Sequence, residues 1–230
     1  MINFQHSSFG YDTILVEANF CLSRGFVHFL VGKNGIGKTT FLQTLAGNIP
    51  LFSGELLIDG KNIKQMTLNE KSHGIAFIET RFPLVNFMSA FEFVSLGRFP
   101  HTGRLGRMTN MDIEKINSSF SLLKIEQLKN KRTTEISDGE RQLLLIAKAL
   151  VQETDLILLD EPMAFLDYSN KRILIDVLVQ ISTEFNKCII LSSHDIEVCS
   201  EFNMPFLLAL NGKIELYQKI SKNDLMKKLG

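Results

Sequence analysis

Six apolar runs with strand character punctuate the chain: FVHFLVG at 26–32, GELLIDG at 54–60, GIAFIE at 74–79, LILLDEP at 156–162, CIILSSH at 188–194 and FLLALNGKIELY at 206–217. Several are continuous rather than alternating, as strands buried on both faces are. Patterns of helical period lie at 38–47, 88–97, 112–124, 138–152 and 169–184. Strands alternating with helices predict an α/β fold with a mainly parallel core sheet. From about residue 82 to 152 the alternation stops, and the stretch reads as helical and rich in phenylalanine. It is predicted to be a helical insertion, residues 82–152, in an α/β body made of 1–81 and 153–230. The C-terminal KNDLMKKLG, with Lys222, Lys227 and Lys228, reads as a solvated helix.

Composition narrows the picture little. The 230 residues suit one domain with a subdomain, and 45% apolar residues suffice for a large core. Lysine plus arginine number 25, as do aspartate plus glutamate, so the chain as a whole carries no basic nucleic-acid footprint. Cys21, Cys188 and Cys199 form no close pair, which predicts a reducing compartment rather than a disulfide framework or zinc site. The start MINFQHSSFG lacks the charged and apolar regions of a signal peptide, and no apolar run is long enough to span a bilayer. A soluble, cytoplasmic protein is expected, reaching a membrane only through a partner.

Local chemistry changes the picture more. GKNGIGKTT, Gly32 to Thr40, fits G-x-x-x-x-G-K-S/T and follows a predicted strand. Such glycines let backbone N–H groups wrap a phosphate, Lys38 can reach the β and γ phosphates, and the Thr39 hydroxyl can hold magnesium. LILLDEP delivers Asp160 and Glu161 at a strand end, where ligands of open α/β sheets sit. Asp160 suits magnesium, and Glu161 suits a general base acting on water. His194 ends another apolar strand, placed to hydrogen-bond a γ-phosphate or the attacking water, although a lone surface histidine is the commoner case. In EISDGERQ, Ser137 and Glu140 make the S-x-x-E of a capping box before an apolar helix. The same helix start offers free N–H groups and a positive dipole end to a phosphate.

Together these motifs resemble the ATPase subunit of ATP-binding cassette (ABC) transporters over essentially the whole chain. The order carries the resemblance: a Walker A loop at 32–40, a helical insertion, a signature at 136–142 just before Walker B at 156–161, a D-loop AFLD, and a switch histidine, His194. The resemblance implies a P-loop NTPase core with a mainly parallel sheet, an antiparallel β part and an inserted helical subdomain. It implies ATP and Mg²⁺, with Gly32, Asn34, Gly35, Gly37, Lys38, Thr39 and Thr40 on the phosphates. Tyr11, in FGYDTIL, is placed like the residue that stacks on adenine. Two copies would sandwich two ATP molecules, each between one Walker A and the partner's Ser137, Asp138, Gly139 and Glu140. LGRFPHTG at 96–103 and GERQLLLIAKAL are similar to importers of iron-siderophores, haem and cobalamin. That implies two membrane-spanning permease subunits and, indirectly, a substrate-binding protein. The insertion would receive the permease, with Phe82, Phe87 and Phe91 either lining that groove or, as their spacing favours, in the core.

Three positions depart from the common pattern: Ile136-Ser-Asp-Gly-Glu stands for LSGGQ, Glu79 for the Q-loop glutamine, and Ala164 for the D-loop serine. Glu79 keeps an oxygen suited to magnesium but loses the amide. A carboxylate near a helix N-terminus gains about 0.3–1 kcal/mol. Against a phosphate charge about 7 Å away it costs roughly 2.4 kcal/mol at an effective ε of about 20. The Asp138 side chain is therefore expected to turn away from a bound ATP, leaving Ser137 and the Gly139 backbone to the γ-phosphate. Three functions compete: a transport ATPase, a soluble ABC-type machine acting on nucleic acid, and a catalytically weakened nucleotide-binding regulator.

Overall fold

A computed structural model describes residues 1–79, 87–103 and 106–229. Among these, eleven strands form one sheet. They are β1 (Ile2–Gly10), β2 (Ile14–Ala18), β3 (Cys21–Leu22), β4 (Phe26–Gly32), β5 (Ser53–Ile58), β6 (Lys61–Asn62), β7 (Ile75–Ile78), β8 (Leu156–Leu159), β9 (Cys188–Ser193), β10 (Phe206–Leu210) and β11 (Lys213–Tyr217). The helices are α1 (Lys38–Leu45), α2 (Leu68–Gly74), α3 (Ala90–Ser95), α4 (Asn110–Leu122), α5 (Asp138–Val151), α6 (Tyr168–Glu184), α7 (Ile196–Cys199) and α8 (Lys222–Leu229).

The sheet runs β6-β5-β1-β2-β11-β10-β4-β9-β8-β7, with β3 beside β1. Neighbours from β10 to β7 are all parallel, while β1 pairs antiparallel with β2, β3 and β5. Each expected apolar run forms a strand. The continuous runs feed two cores at once, because successive side chains face opposite ways. Val27, Phe29, Val31, Ile189 and Leu191 pack with α3 to α6, whereas Leu30, Cys188 and Ile190 pack with α1 and the antiparallel strands. Full burial of such side chains contributes about 1.5–3 kcal/mol each.

The pattern did not reveal β1 and β2. β1 hides because its buried positions include Ser7 and Ser8, which are satisfied by Glu55 O at 2.5 Å and by the Ser53 hydroxyl at 2.9 Å. Helix α3 is shorter than its apolar pattern and continues as a 3-10 turn through Leu96–His101, with Pro100 inside. There Arg98, buried, holds Asp112 at 2.8 Å, Glu153 at 2.6 Å and Val151 O at 2.6 Å, tying this turn to α4 and to the end of α5. Of the three phenylalanines weighed as core or groove, Phe91 packs against the core and stacks on Phe120. Phe87 is 86% exposed instead, because it sits in a left-handed turn (φ 71) before the Ser89 cap, outside the helical repeat. Phe82 lies outside the described residues.

Candidate active site

The parallel strands β4, β8 and β9 bring their C-terminal ends together, the usual ligand side of an open α/β sheet. From Gly32 the chain turns through the glycine loop into α1. Gly35 (φ 77) and Gly37 (φ 110) take left-handed backbone that other residues avoid. A Cβ at Gly37 would also stand 3.2 Å from Leu15 Cβ on β2. The first helical bond of α1 runs from Phe41 N to Gly37 O at 2.9 Å, so the N–H groups of Lys38, Thr39 and Thr40 precede the ladder and face the loop's mouth. The Thr39 side chain is exposed and that of Thr40 is buried. Asn34 is exposed on the loop, and Tyr11 is 63% exposed on the turn that leads to β2.

Lys38 is buried, and its ammonium donates to Gly32 O at 2.8 Å and Lys33 O at 3.3 Å. Burial pushes its pKa below the usual lysine value, while Glu161 and Asp160 act to raise it. The same two carboxylates thus lie within electrostatic reach of the loop lysine, as the motif order implied.

Register explains how the acids meet β9. Leu159 pairs with Leu191, so Asp160 and Ser192 follow side by side. The fully buried Ser192 hydroxyl donates to Asp160 Oδ1 at 2.7 Å and accepts from Glu161 N–H at 2.8 Å. Glu161 has left-handed backbone (φ 49), a conformation that costs about 1–3 kcal/mol and persists only when its surroundings enforce it. Two residues beyond Ser192, His194 Nδ1 lies 2.8 Å from Glu161 Oε2, with the ring N–H as donor. His194 therefore orients the carboxylate expected to act on water.

At the start of α5 the capping box is complete. Ser137 Oγ accepts from Glu140 N–H at 3.3 Å, and Glu140 Oε2 accepts from Ser137 N–H at 2.7 Å. That backbone bond to Ser137 holds the Glu140 carboxyl below its usual range. Asp138 Oδ1 accepts from Arg141 Nη1 at 2.7 Å, so its carboxylate lies along the flank of the helix. A Cβ at Gly139 would come 3.4 Å from Leu166 Cδ2, which sets the D-loop against this turn. Ala164 and Phe165 beside it are exposed, Phe165 by 61%. Glu79, just past β7, accepts from Gln43 Nε2 of α1 at 3.3 Å and lines a cleft of about 220 Å³ between β7 and α5, with Lys148 opposite.

Sequence reasoning overlooked Ser192, Arg141 and Gln43. A serine inside the apolar run CIILSS was a signal for the first, since a buried hydroxyl must find partners. The i,i+3 spacing of Asp138 and Arg141 was a signal for the second. Gln43 carried no local signal, because only folding brings α1 beside Glu79.

Residues 15–164 match the ABC transporter family. The chain belongs to that family. An ABC transporter ATP-binding protein of Methanocaldococcus jannaschii is 32% identical over 100% of this chain and 81% of its own length. The petrobactin import ATP-binding protein YclP of Bacillus subtilis is 30% identical over 90% of this chain and 81% of its own. In structure, a subunit of a metal-chelate type ABC transporter in an inward-facing conformation superposes with a TM-score of 0.84 at 24% identity, over 99% of this chain and 88% of that one, which shows the fold alone. The protein is an ATP-binding cassette of that family. Among the described residues no helix is long and apolar enough to cross a membrane.

Proposed function

We propose that this cassette is the ATPase subunit of an importer and powers uptake of a metal chelate such as an iron-siderophore, haem or cobalamin. The observation that carries the hydrolytic part is the clasp on Glu161, its N–H on Ser192 and its carboxylate on His194. A base held from both ends, beside Asp160 and within electrostatic reach of Lys38, is built for turnover rather than for nucleotide sensing. This argues against the weakened-regulator reading. The zero net charge speaks against a nucleic-acid machine.

In this reading Tyr11 stacks on adenine, and Gly32, Asn34, Gly35, Gly37, Lys38, Thr39 and Thr40 bind the phosphates. The donors at this site fit magnesium, a hard cation that takes a hydroxyl and one or two carboxylates beside phosphate oxygens. Thr39, Asp160 and Glu79 would hold it, and bound there it would neutralise phosphate charge. Ser137 and Gly139 serve the ATP of a second copy, with Asp138 and Glu140 beside them. The helical part, about 82–152, and the cleft under Glu79 face two membrane permease subunits, which a substrate-binding protein supplies. The cassette thereby sits at the inner face of the membrane. Relatives whose names state import of petrobactin and of iron(3+)-hydroxamate support the cargo class.

The test measures phosphate release and ATP-dependent association of the wild type and of Glu161→Gln, then membrane co-purification. The reading expects hydrolysis by the wild type, stable ATP-bound dimers of the variant, and a pair of membrane subunits in the purified complex. Equal, negligible hydrolysis by both proteins sinks the ATPase, and purification with nucleic acid instead of membrane subunits sinks the transporter.

A further inference from the structure

Asp138 is the first residue of α5, and helical Cα–Cβ bonds tilt toward the N-terminus. Left alone, its carboxylate would lean over the open N–H groups of the first turn. It does not, because Arg141 one turn on draws it back at 2.7 Å. Arg141 is no loose surface residue: its side chain is 21% exposed, and its Nε points at Thr133 O, 3.4 Å away, in the loop before the helix. The guanidinium is thus braced by Asp138 within the signature and by Thr133 O before it. An ion pair with one partner 63% exposed adds little to folding stability. Its consequence lies in where the charge stands. Glu140 is spent on the cap, so Arg141 is the countercharge that answers Asp138.

We propose that Arg141 is a positioning residue for ATP-driven association of two copies: it holds Asp138 on the flank of α5 and cancels its charge, so that the helix start accepts the partner copy's triphosphate. This inference rests on the transport-ATPase reading above. The Asp138 departure then does not weaken the site, because its compensation lies three residues away in the same chain.

The experiment measures the ATP–Mg²⁺ dimerisation constant by analytical ultracentrifugation in the Glu161→Gln background, together with monomer affinity for a fluorescent ATP analogue. Arg141→Ala is expected to weaken the dimer about tenfold at low salt, less at about 0.5 M salt, where screening acts within a few ångströms. Arg141→Lys keeps the charge and most of the affinity. Asp138→Gly added to Arg141→Ala restores the dimer to within about threefold of the parent. Where Arg141→Ala fails to fold, Arg141→Gln, which keeps a donor toward Thr133 O, takes its place. An Arg141→Ala dimer as tight as the parent's, a salt-independent loss, or no rescue by Asp138→Gly overturns the proposal. A parent that binds the analogue yet never dimerises with ATP overturns the association reading itself, and this inference with it.

Discussion

The strand-end half of the site and the signature half differ in what they leave for a ligand. At the ends of β8 and β9, Asp160, Glu161, Ser192 and His194 are joined by three hydrogen bonds of 2.7–2.8 Å across two buried strands. At the start of α5, Ser137 pairs with Glu140 and Asp138 with Arg141, each at 2.7 Å and all within one helical turn. The first arrangement exists only because distant segments pack. The second would form in any capped helix of this sequence. In the proposed reading the residues for hydrolysis therefore come pre-aligned in the single chain, while the signature is a self-contained surface that a second copy would meet.

That contrast predicts where each variant acts. The largest effect belongs to Glu161→Gln, which should lower turnover by about 10²–10⁴-fold, the range of a lost general base, while monomer nucleotide affinity stays close to wild type. A variant that still turns over within tenfold places the base elsewhere. Ser137→Ala should strip the signature of its hydroxyl and cost about 1 kcal/mol of helix capping. Its ATP-driven dimer should weaken about tenfold, with monomer binding unchanged, as ultracentrifugation and analogue titration will report. A matching loss in the monomer erases the proposed division between the halves.

Glu79→Gln probes the seam between the two. It restores the amide common in this family and should leave ATP binding within a few fold, since an amide oxygen remains a hard donor. Coupling to the permease, read as transport per ATP hydrolysed in proteoliposomes, should change more than affinity does. Loss of folding or of nucleotide binding in that variant contradicts this role. The smallest effect is a pH dependence at the cap. The Glu140 carboxyl, held below its ordinary value by Ser137 N–H, contributes fully above the ordinary range near pH 4.3 and progressively less as pH falls through its depressed value. Glu140→Gln keeps a capping partner that does not titrate, so its melting temperature should drop less between pH 7 and about pH 3 than that of the wild type. Equal drops in both would remove Glu140 from the acid response.

The candidate site was legible wherever function is written locally. Residues 32–40 bend through positive-φ glycines into a helix, as a phosphate loop requires, and Ser137 with Glu140 formed the expected box. Asp138 lies along the flank of its helix, held there by Arg141, a partner that repulsion from a phosphate does not name. Phe87 misled because an apolar residue at helical spacing reads as core, whereas one left-handed turn placed it outside the helix.

By itself the sequence determined the alternation of elements, the phosphate loop, the acids at the end of β8 and the capped start of α5. Each depends on spacing along the chain and on backbone preferences a few residues wide. Only the tertiary structure decided that Ser192 joins Asp160 to Glu161, that Gln43 meets Glu79, and that polar β1 belongs in the sheet. Those contacts join residues 31 to 36 positions apart or, for β1, pair Ile2 with Ile58 of β5. Their partners are chosen by strand register and packing, which no local pattern encodes.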